Sequence, residues 1–257
     1  MASNYTLMFG TYQFSNQTFE IQGHKQKFDT PDSDIRRKDG GVTLDGYEAS
    51  RAIRINGILY SEDKDSLHND LNTMIRAIRN QGEESALNYR ADRYITARIA
   101  KQGFDFEYQK GLYEHMYKVA INMVAGNPYA EGSTLRNVAG TINNTTAVVA
   151  VTNNGSRPTR PLFTFVGGAS FTNDLRVDVP GNSHYFSYSG GLLNGQSLIV
   201  DCDAGSVLLQ SGITFVDAIS HFGGYMFLEV PEGGAQNVII NCATLNYSID
   251  SRDRYDA

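Results

Sequence analysis

The sequence predicts a mainly β protein of two domains: a strand-rich first domain with one flanking helix, then a β-sandwich or jelly roll. Three observations carry this. Between Gly40 and Gln102 one amphipathic helical segment lies among strands of alternating polarity. The pattern ends at Gly126-Asn127-Pro128, where Pro128 removes a backbone donor and holds Asn127 extended. Beyond that point no helix-length periodicity remains, and short apolar stretches recur between turns rich in Gly, Asn and Pro.

In chain order, Tyr5 to Phe14 and Thr18 to Ile21 read as a hairpin-like pair turning at Ser15-Asn16-Gln17. Gly23 to Gly41 then carries many charges and hardly an apolar residue, so it cannot pack as a core element. Two readings stay open for it: a solvated loop, or an arm ordered against a neighbouring subunit. The charges at stake are Asp29, Asp32 and Asp34 against Arg36, Arg37 and Lys38. Arg51 to Tyr60 alternates, with Ile53, Ile55, Gly57 and Leu59 on one side. Lys64 to Asn80 spaces Leu67, Leu71, Met74, Ile75 and Ile78 as one helical face, with Asp63 or Ser66 to cap its start and Gly82 to suit its end. Ser85 to Arg90 and Arg93 to Lys101 are strands about the Ala91-Asp92 turn. Phe104, Phe106 and Tyr108 alternate with Asp105 and Glu107 on what reads as a buried strand, and a long strand follows from Leu112 to Val124.

After Pro128, strands are expected at Thr146 to Val151, Leu162 to Val166, Asp174 to Val179 and Ser183 to Tyr188. Others are expected at Ser197 to Cys202, Ser206 to Gln210, Gly224 to Val230 and Val238 to Asn241. Of the aromatics Phe163, Phe165, Tyr185, Phe186, Tyr188, Tyr225 and Phe227, strand alternation sends about half into the core.

The chain has 257 residues and 41% hydrophobic residues, enough for a real core without staples. Its two cysteines, Cys202 and Cys242, are expected as reduced core or strand residues, not a bridge. Met-Ala-Ser-Asn-Tyr-Thr has no basic stretch leading into an apolar run, so no secretory signal is expected, and no apolar run approaches the roughly 20 residues of a membrane span. A formal charge of −6 argues against gripping nucleic acid by its phosphates, though not against letting it pass. Asp201-Cys202-Asp203-Ala204-Gly205 starts like a calcium loop, but Gly205 and Gly212 stand where oxygen donors are needed. It is expected as a hairpin in which Ala204-Gly205 joins two strands. His24, His68, His115, His184 and His221 form no i, i+4 pair, and His68 is expected on the helix surface. Ser211 lacks the glycines of a nucleophile elbow, and Gly167-Gly168 and Gly190-Gly191 lack the spacing of a phosphate cradle. Nothing supports catalysis, a metal site or a cofactor.

The order of features resembles that of the distal tail proteins of long non-contractile-tailed bacteriophages. The residues that carry it are Asp39-Gly40-Gly41-Val42, the strand Ala52 to Tyr60, the helix, Arg90 with the strand after it, and Asn127-Pro128. Next come Asn154-Gly155, Thr159-Arg160-Pro161, Leu198 to Cys202, and Tyr225 to Val238. The late turn Pro231 to Asn237 is longer than the family's Pro-Gly-x-Asn, and Tyr225 or Phe227 stands near the family's frequent Trp. The resemblance implies a tail-tube-like β-sandwich with a flanking helix over residues 1–127, and a galectin-like β-sandwich over 128–257 whose strand near 245–257 packs back on the first domain. It further implies a structural virion protein at the tail tip, assembled in the host cytoplasm. Such a protein forms a homohexameric ring joining the tail tube protein to a tail-tip or baseplate hub protein, with tape measure and receptor-binding proteins as further neighbours. No membrane is involved, and DNA meets it only in transit.

Two alternatives stand beside this reading: a carbohydrate-binding adhesin acting through the second domain, and a tail-tube subunit. If a ring lines a DNA channel, its wall is expected to be acidic or neutral, with Asp105 and Glu107 as candidate lumen residues; the alternative is that both face outer solvent.

Overall fold

The computed structural model describes residues 7–14, 19–22, 51–110, 115–127, 129–143, 146–168, 175–180, 184–242 and 244–256. The chain is mainly β and divides into two compact units, the first running through Glu131 and the second spanning Gly132–Asp256.

In the first unit the strands are β1 (Met8–Phe9), β2 (Tyr12–Gln13), β3 (Phe19–Gln22), β4 (Arg51–Ser61), β5 (Ser85–Arg90), β6 (Arg93–Lys110) and β7 (His115–Ala125), with helix α1 (Lys64–Arg79) between β4 and β5. Their order across the sheet is β2-β1-β5-β6-β7-β4-β3, and each described pair is antiparallel. Strand β6 sits at the centre and serves both halves. Its first part pairs with β5 and its second with β7, and the register shifts between Ile99 and Phe104. This bulge needs Gly103, because a Cβ there would lie 2.2 Å from Ile99 Cγ2 and 2.9 Å from the Asn122 carbonyl oxygen.

Helix α1 forms where the periodicity places it and is capped by Asp63, whose Oδ2 accepts the Ser66 N–H at 2.7 Å. Its Leu67, Leu71, Met74 and Ile78 are buried, and it packs on β4 and β7. Ile53, Ile55, Val119, Ile121 and Met123 of those strands are buried with it. One face of the β4-β7 sheet is thereby closed, because a sheet face of alternating apolar residues is stable only when another element covers it.

The second unit follows β8 (Ala130–Gly132) in the chain. Its strands are β9 (Arg136–Ile142), β10 (Thr146–Asn153), β11 (Leu162–Gly167), β12 (Leu175–Val179), β13 (His184–Tyr188), β14 (Ser197–Asp201), β15 (Ser206–Ser211) and β16 (Thr214–Asp217). After a 3-10 turn (Ile219–His221) come β17 (Phe222–Gly224), β18 (Gly234–Asn241), β19 (Leu245–Ser251) and β20 (Arg254–Tyr255). Strands β9 to β19 build a five-stranded sheet, β10-β18-β12-β13-β17, and a six-stranded sheet, β16-β15-β14-β11-β19-β9. One apolar core joins the two. Val149, Val177, Phe186 and Ile240 from the first sheet share a buried cluster with Phe163, Phe165, Leu198 and Ile249 from the second. Phe186 meets Phe163 edge to face at a 5.3 Å centroid separation, the geometry aromatic pairs prefer.

A polar knot closes this sandwich. Asp253, with a side chain 9% exposed, accepts both Nε and Nη2 of Arg136, at 3.2 and 2.8 Å, and the Asn154 N–H at 2.9 Å. Burial works to raise the Asp253 pKa. The hydrogen bonds and charge of Arg136 and the Asn154 N–H outweigh it and hold the carboxyl below its usual range. Buried Asn153 donates from Nδ2 to the carbonyls of Arg157 and Val230 and accepts the Gly155 N–H. Gly155 is required, since a Cβ there would fall 2.0 Å from the Arg254 carbonyl oxygen. Thr159 donates its hydroxyl to the Arg252 carbonyl, and Arg160 places Nε and Nη2 on Glu229 Oε1 at 2.9 and 2.8 Å. Arg254, nearly buried, pairs with Asp203.

Several expectations need correction. The first pair of strands is not one hairpin: β1 turns back at Gly10-Thr11 onto β2, while β3 pairs with β4 at the opposite edge. The expected turn at 15–17 lies outside the described residues, as does the expected strand start at 112–114. Arg93–Lys110 is one strand instead of two, and its second part is half-buried, with Tyr108 exposed. Gly224 to Val230 is not a strand beyond its first residue, because Gly224 takes a φ of +89 and β17 ends there. The loop between β14 and β15 is the four residues 202–205, with Asp201 Oδ1 accepting the N–H groups of Asp203 and Ala204. β18 starts at Gly234, so part of the long turn before Asn237 is strand.

Asp253→Ala should cost about 2 to 3 kcal/mol, trimmed from a fully buried pair because Arg136 is one-third exposed. The folded-state pKa is depressed, so this contribution is present above about pH 4 and is lost as the pH falls through the folded value. Chemical denaturation between pH 7 and 2 should show a shallower acid loss in the variant; a wild-type slope would contradict the assignment. The Cys202 thiol is buried and pushed up to about 12 by burial. Its unfolded counterpart ionises near 8.5, so stability falls as the pH climbs from there toward 12. Cys202→Ala should cost about 1 to 2 kcal/mol at pH 7 and flatten that alkaline loss, measured by the same method.

Candidate assembly surfaces

The face of β4, β6 and β7 turned away from α1 is polar and open. Arg54 on β4 lies 3.8 Å from Asp105 on β6, and Lys118 on β7 lies 3.8 Å from Glu107 on β6. The strand registers set these neighbours: Glu107 is directly opposite Lys118, and Asp105 is opposite Ala120, which is itself opposite Asn56, two residues from Arg54. The sequence-predicted lumen candidates therefore share one face, and both are exposed, but each sits beside a cation. Arg98 is exposed next to the same face, opposite Val124. Ile58 and Tyr60 add exposed apolar surface there. At such exposure each ion pair contributes about 0 to 1 kcal/mol, so their effect is to neutralise the face more than to stabilise it.

The helix side is different. His68 lies on the surface of α1, as expected, half-buried with its ring against Tyr108 and Tyr117 of the sheet. Its Nδ1 lies 3.0 Å from the Lys64 carbonyl and donates to it, so Nε2 accepts the Tyr117 hydroxyl at 3.1 Å. Tyr108 Oη is 2.5 Å from His115 Nδ1, and the Lys64 ammonium lies over the Tyr108 ring. These contacts fix the start of α1 on the β6-β7 pair.

The arm residues Asp29, Asp32, Asp34, Arg36, Arg37 and Lys38 lie outside the described residues. In the second unit Phe163, Phe165, Phe186 and Tyr188 are buried, while Tyr185 points outward beneath the Arg176 guanidinium, 3.9 Å from the ring centroid. Sequence reasoning missed the β15-β16 hairpin, whose Ile213, Phe215 and Val216 are all exposed. The signal was present as Ile213-Thr214-Phe215-Val216, an apolar β-branched and aromatic run beside the turn glycine Gly212. Among the described residues no group of three or more His, Cys, Asp or Glu could hold a metal ion, and no helix is long and apolar enough to cross a membrane.

No protein-family profile matches the chain, and a search of curated proteins finds no relative. Among solved structures, the fold is similar to that of the Dit (gp 19.1) protein of SPP1, described as a paradigm of the hub adsorption apparatus in phages infecting Gram-positive bacteria. The TM-score is 0.63 at 14% identity, over 97% of this chain and 98% of that one. Two structures of the phage P2 baseplate in its activated conformation, with Ca and with Sr, align over 97% of this chain and 91% of theirs. They do so at TM-scores of 0.41 and 0.40 and identities of 12% and 13%, too low to bear on the fold. The likeness to the SPP1 protein extends across the residues of both units.

Proposed function

We propose that the protein is a structural component of a phage tail tip: a ring-forming hub that joins the tail tube protein to a tail-tip or baseplate hub protein. The observation that carries this reading is the fold likeness to the SPP1 hub protein over both units. An adhesin acting through the second unit alone leaves the first unit's shared fold unexplained. In this reading residues 1–127 form a homohexamer, residues 128–257 form a galectin-like domain carried by it, and tape measure and receptor-binding proteins are further neighbours. The protein is assembled in the host cytoplasm and resides at the tip of the virion tail. Head-to-tail closure of such a ring leaves no free sheet edge at the interface, a gain open to any edge-bearing sheet.

The open face of β4, β6 and β7 is the proposed lumen wall. A hexamer would carry 6 × (−6) = −36 formal charges. On this wall, however, Asp105 and Glu107 are each matched by Arg54 and Lys118. These four charges cancel and Arg98 beside them adds a single cation, so a wall of this composition releases few counterions when a duplex passes and neither holds the phosphates strongly nor focuses a strong repelling field.

Averaged electron micrographs of assembled tails, with light scattering on the purified protein, should show hexameric rings of this chain at the tail tip. A strictly monomeric subunit within the particle would overturn the proposal, and a ring whose channel is lined mainly by Lys and Arg would overturn the lumen assignment alone. The segment Gly23 to Gly41 is proposed as an inter-subunit arm. Deleting Thr30 to Arg37 should leave the melting temperature of the isolated protein unchanged while reducing ring yield; undiminished assembly of that variant would count against the arm.

A further inference from the structure

The dipeptide Asn-Gly occurs three times in the chain, at Asn56-Gly57, Asn154-Gly155 and Asn194-Gly195, and the fold puts the three in different surroundings. Asn-Gly is prone to cyclise, because glycine has no side chain to hinder its own nitrogen as that nitrogen approaches the preceding side-chain amide carbon. Asn56-Gly57 lies inside β4, paired on one side with β3 and on the other with β7, and Asn56 Oδ1 accepts Arg54 Nε at 3.0 Å. Asn154-Gly155 lies in the polar knot. The Asn154 N–H is held by Asp253, the Gly155 N–H donates to Oδ1 of buried Asn153 at 3.0 Å, and the backbone of Arg254 lies against Gly155. Asn194-Gly195 instead forms the centre of the turn from Leu193 to Gln196, ahead of β14. The Gln196 N–H donates to the Leu193 carbonyl at 2.9 Å, and Gly195 has a φ of +80, as the third position of a type II turn requires. Leu193, Asn194 and Gly195 are all exposed, and a Cβ built at Gly195 would meet nothing within 4 Å. The Gly195 N–H donates to the Gly167 carbonyl at 3.0 Å.

We infer that Asn194 is a site of spontaneous self-modification, deamidating through a cyclic imide, while the fold protects Asn56 and Asn154. Hydroxide removes the Gly195 amide proton, and the nitrogen attacks Asn194 Cγ. A carbon–nitrogen bond forms, the side-chain nitrogen leaves as ammonia, and a cyclic imide remains. Water then opens the ring at either carbonyl. Opening at Cγ gives aspartate, and opening at the Asn194 main-chain carbonyl gives isoaspartate, with the chain running through the side-chain carbons. The net change is amide plus water to carboxylic acid plus ammonia, with no oxidant or cofactor. At Asn194 the reacting peptide is the central one of the turn, so it can rotate without breaking the Gln196-to-Leu193 bond and gives up only its bond to Gly167. At Asn154 the same rotation would break the bond to Asn153 and drive the peptide against Arg254, and the amide anion would form beside the Asp253 carboxylate. At Asn56 it would open a ladder that is paired on both sides. The product adds one carboxylate to the turn, and isoaspartate also adds a methylene to the main chain, so the Gln196-to-Leu193 and Gly195-to-Gly167 bonds cannot both keep their geometry. The mark is irreversible and accumulates with time since synthesis. It does not depend on the ring or on its function.

The test is to age the purified full chain in mildly alkaline buffer well below its melting temperature and to read the amide-to-acid mass gain at each asparagine by peptide mapping. The gain at Asn194 should accumulate at least about tenfold faster than at Asn154 or Asn56, the factor that one or two further hydrogen bonds broken at the barrier give. In denaturant the three sites should react at comparable rates, which assigns the difference to the fold. Asn194→Gln alters an exposed side chain, so it should keep the wild-type melting temperature while removing most of the native-state gain. Asp39-Gly40 and Asp45-Gly46 reach the same imide by losing water and regain it on opening, so they leave the mass unchanged. The inference is overturned if Asn194 in the folded chain reacts no faster than the other two, if the denatured chain keeps the same tenfold preference, or if Asn194→Gln leaves the gain undiminished.

Discussion

A sheet whose strands alternate apolar and polar residues has one face that water must not reach, and the architecture follows from how each such face is covered. In the first unit α1 covers the apolar face of β4 and β7 through Leu67, Leu71, Met74 and Ile78. The other face is left open and carries Arg54, Asp105, Glu107 and Lys118, matched in charge across strands, with Ile58 and Tyr60 exposed beside them. In the second unit two sheets cover each other over a single core of aliphatic and aromatic side chains. At β16, an edge of the six-stranded sheet, Phe215 and Val216 remain exposed.

Much of this was legible from periodicity. The limits of β4, α1 and β5 follow the sequence within a residue or two, because alternation and helical spacing are local properties that burial then reinforces. The single helix and the succession of short strands in the second unit follow for the same reason. What escaped is non-local. That β3 pairs with β4 instead of the neighbouring β1-β2 segment is decided by sheet order, which no short window contains. Strand β9 reads as a polar, Gly-bearing segment because its partner β19 arrives about a hundred residues later and supplies the ladder. That Asp105 and Glu107 share one face follows from alternation, but their compensation by Arg54 and Lys118 depends on registers between three strands.

The motif residues Asn154-Gly155 and Thr159-Arg160-Pro161 show why short polar signatures can mark a fold without marking a site of chemistry. Their side chains and backbone are consumed by internal partners: Asn154 by Asp253, Gly155 by the close approach of Arg254, Thr159 by Arg252 and Arg160 by Glu229. Buried polar groups must be satisfied, and a network that satisfies all of them fixes one arrangement of the segments it joins. Such residues resist substitution for geometric reasons.

The position of β19 bears on how the second unit comes into being during synthesis. Among the described strands β9 pairs only with β19, and β19 separates it from β11. Arg136, at the head of β9, likewise waits for Asp253, 117 positions further along the chain. While the ribosome is still short of Leu245, β9 has no ladder to join and the Asn153-to-Arg157 loop lacks the backbone of Arg254. The earliest-made strand of the unit is thus among the last to dock, and closure of so distant a contact is intrinsically slow. A nascent chain stalled before that point would hold the sheets apart with the core open on the β9 side, the interval in which this protein is most exposed to misassembly.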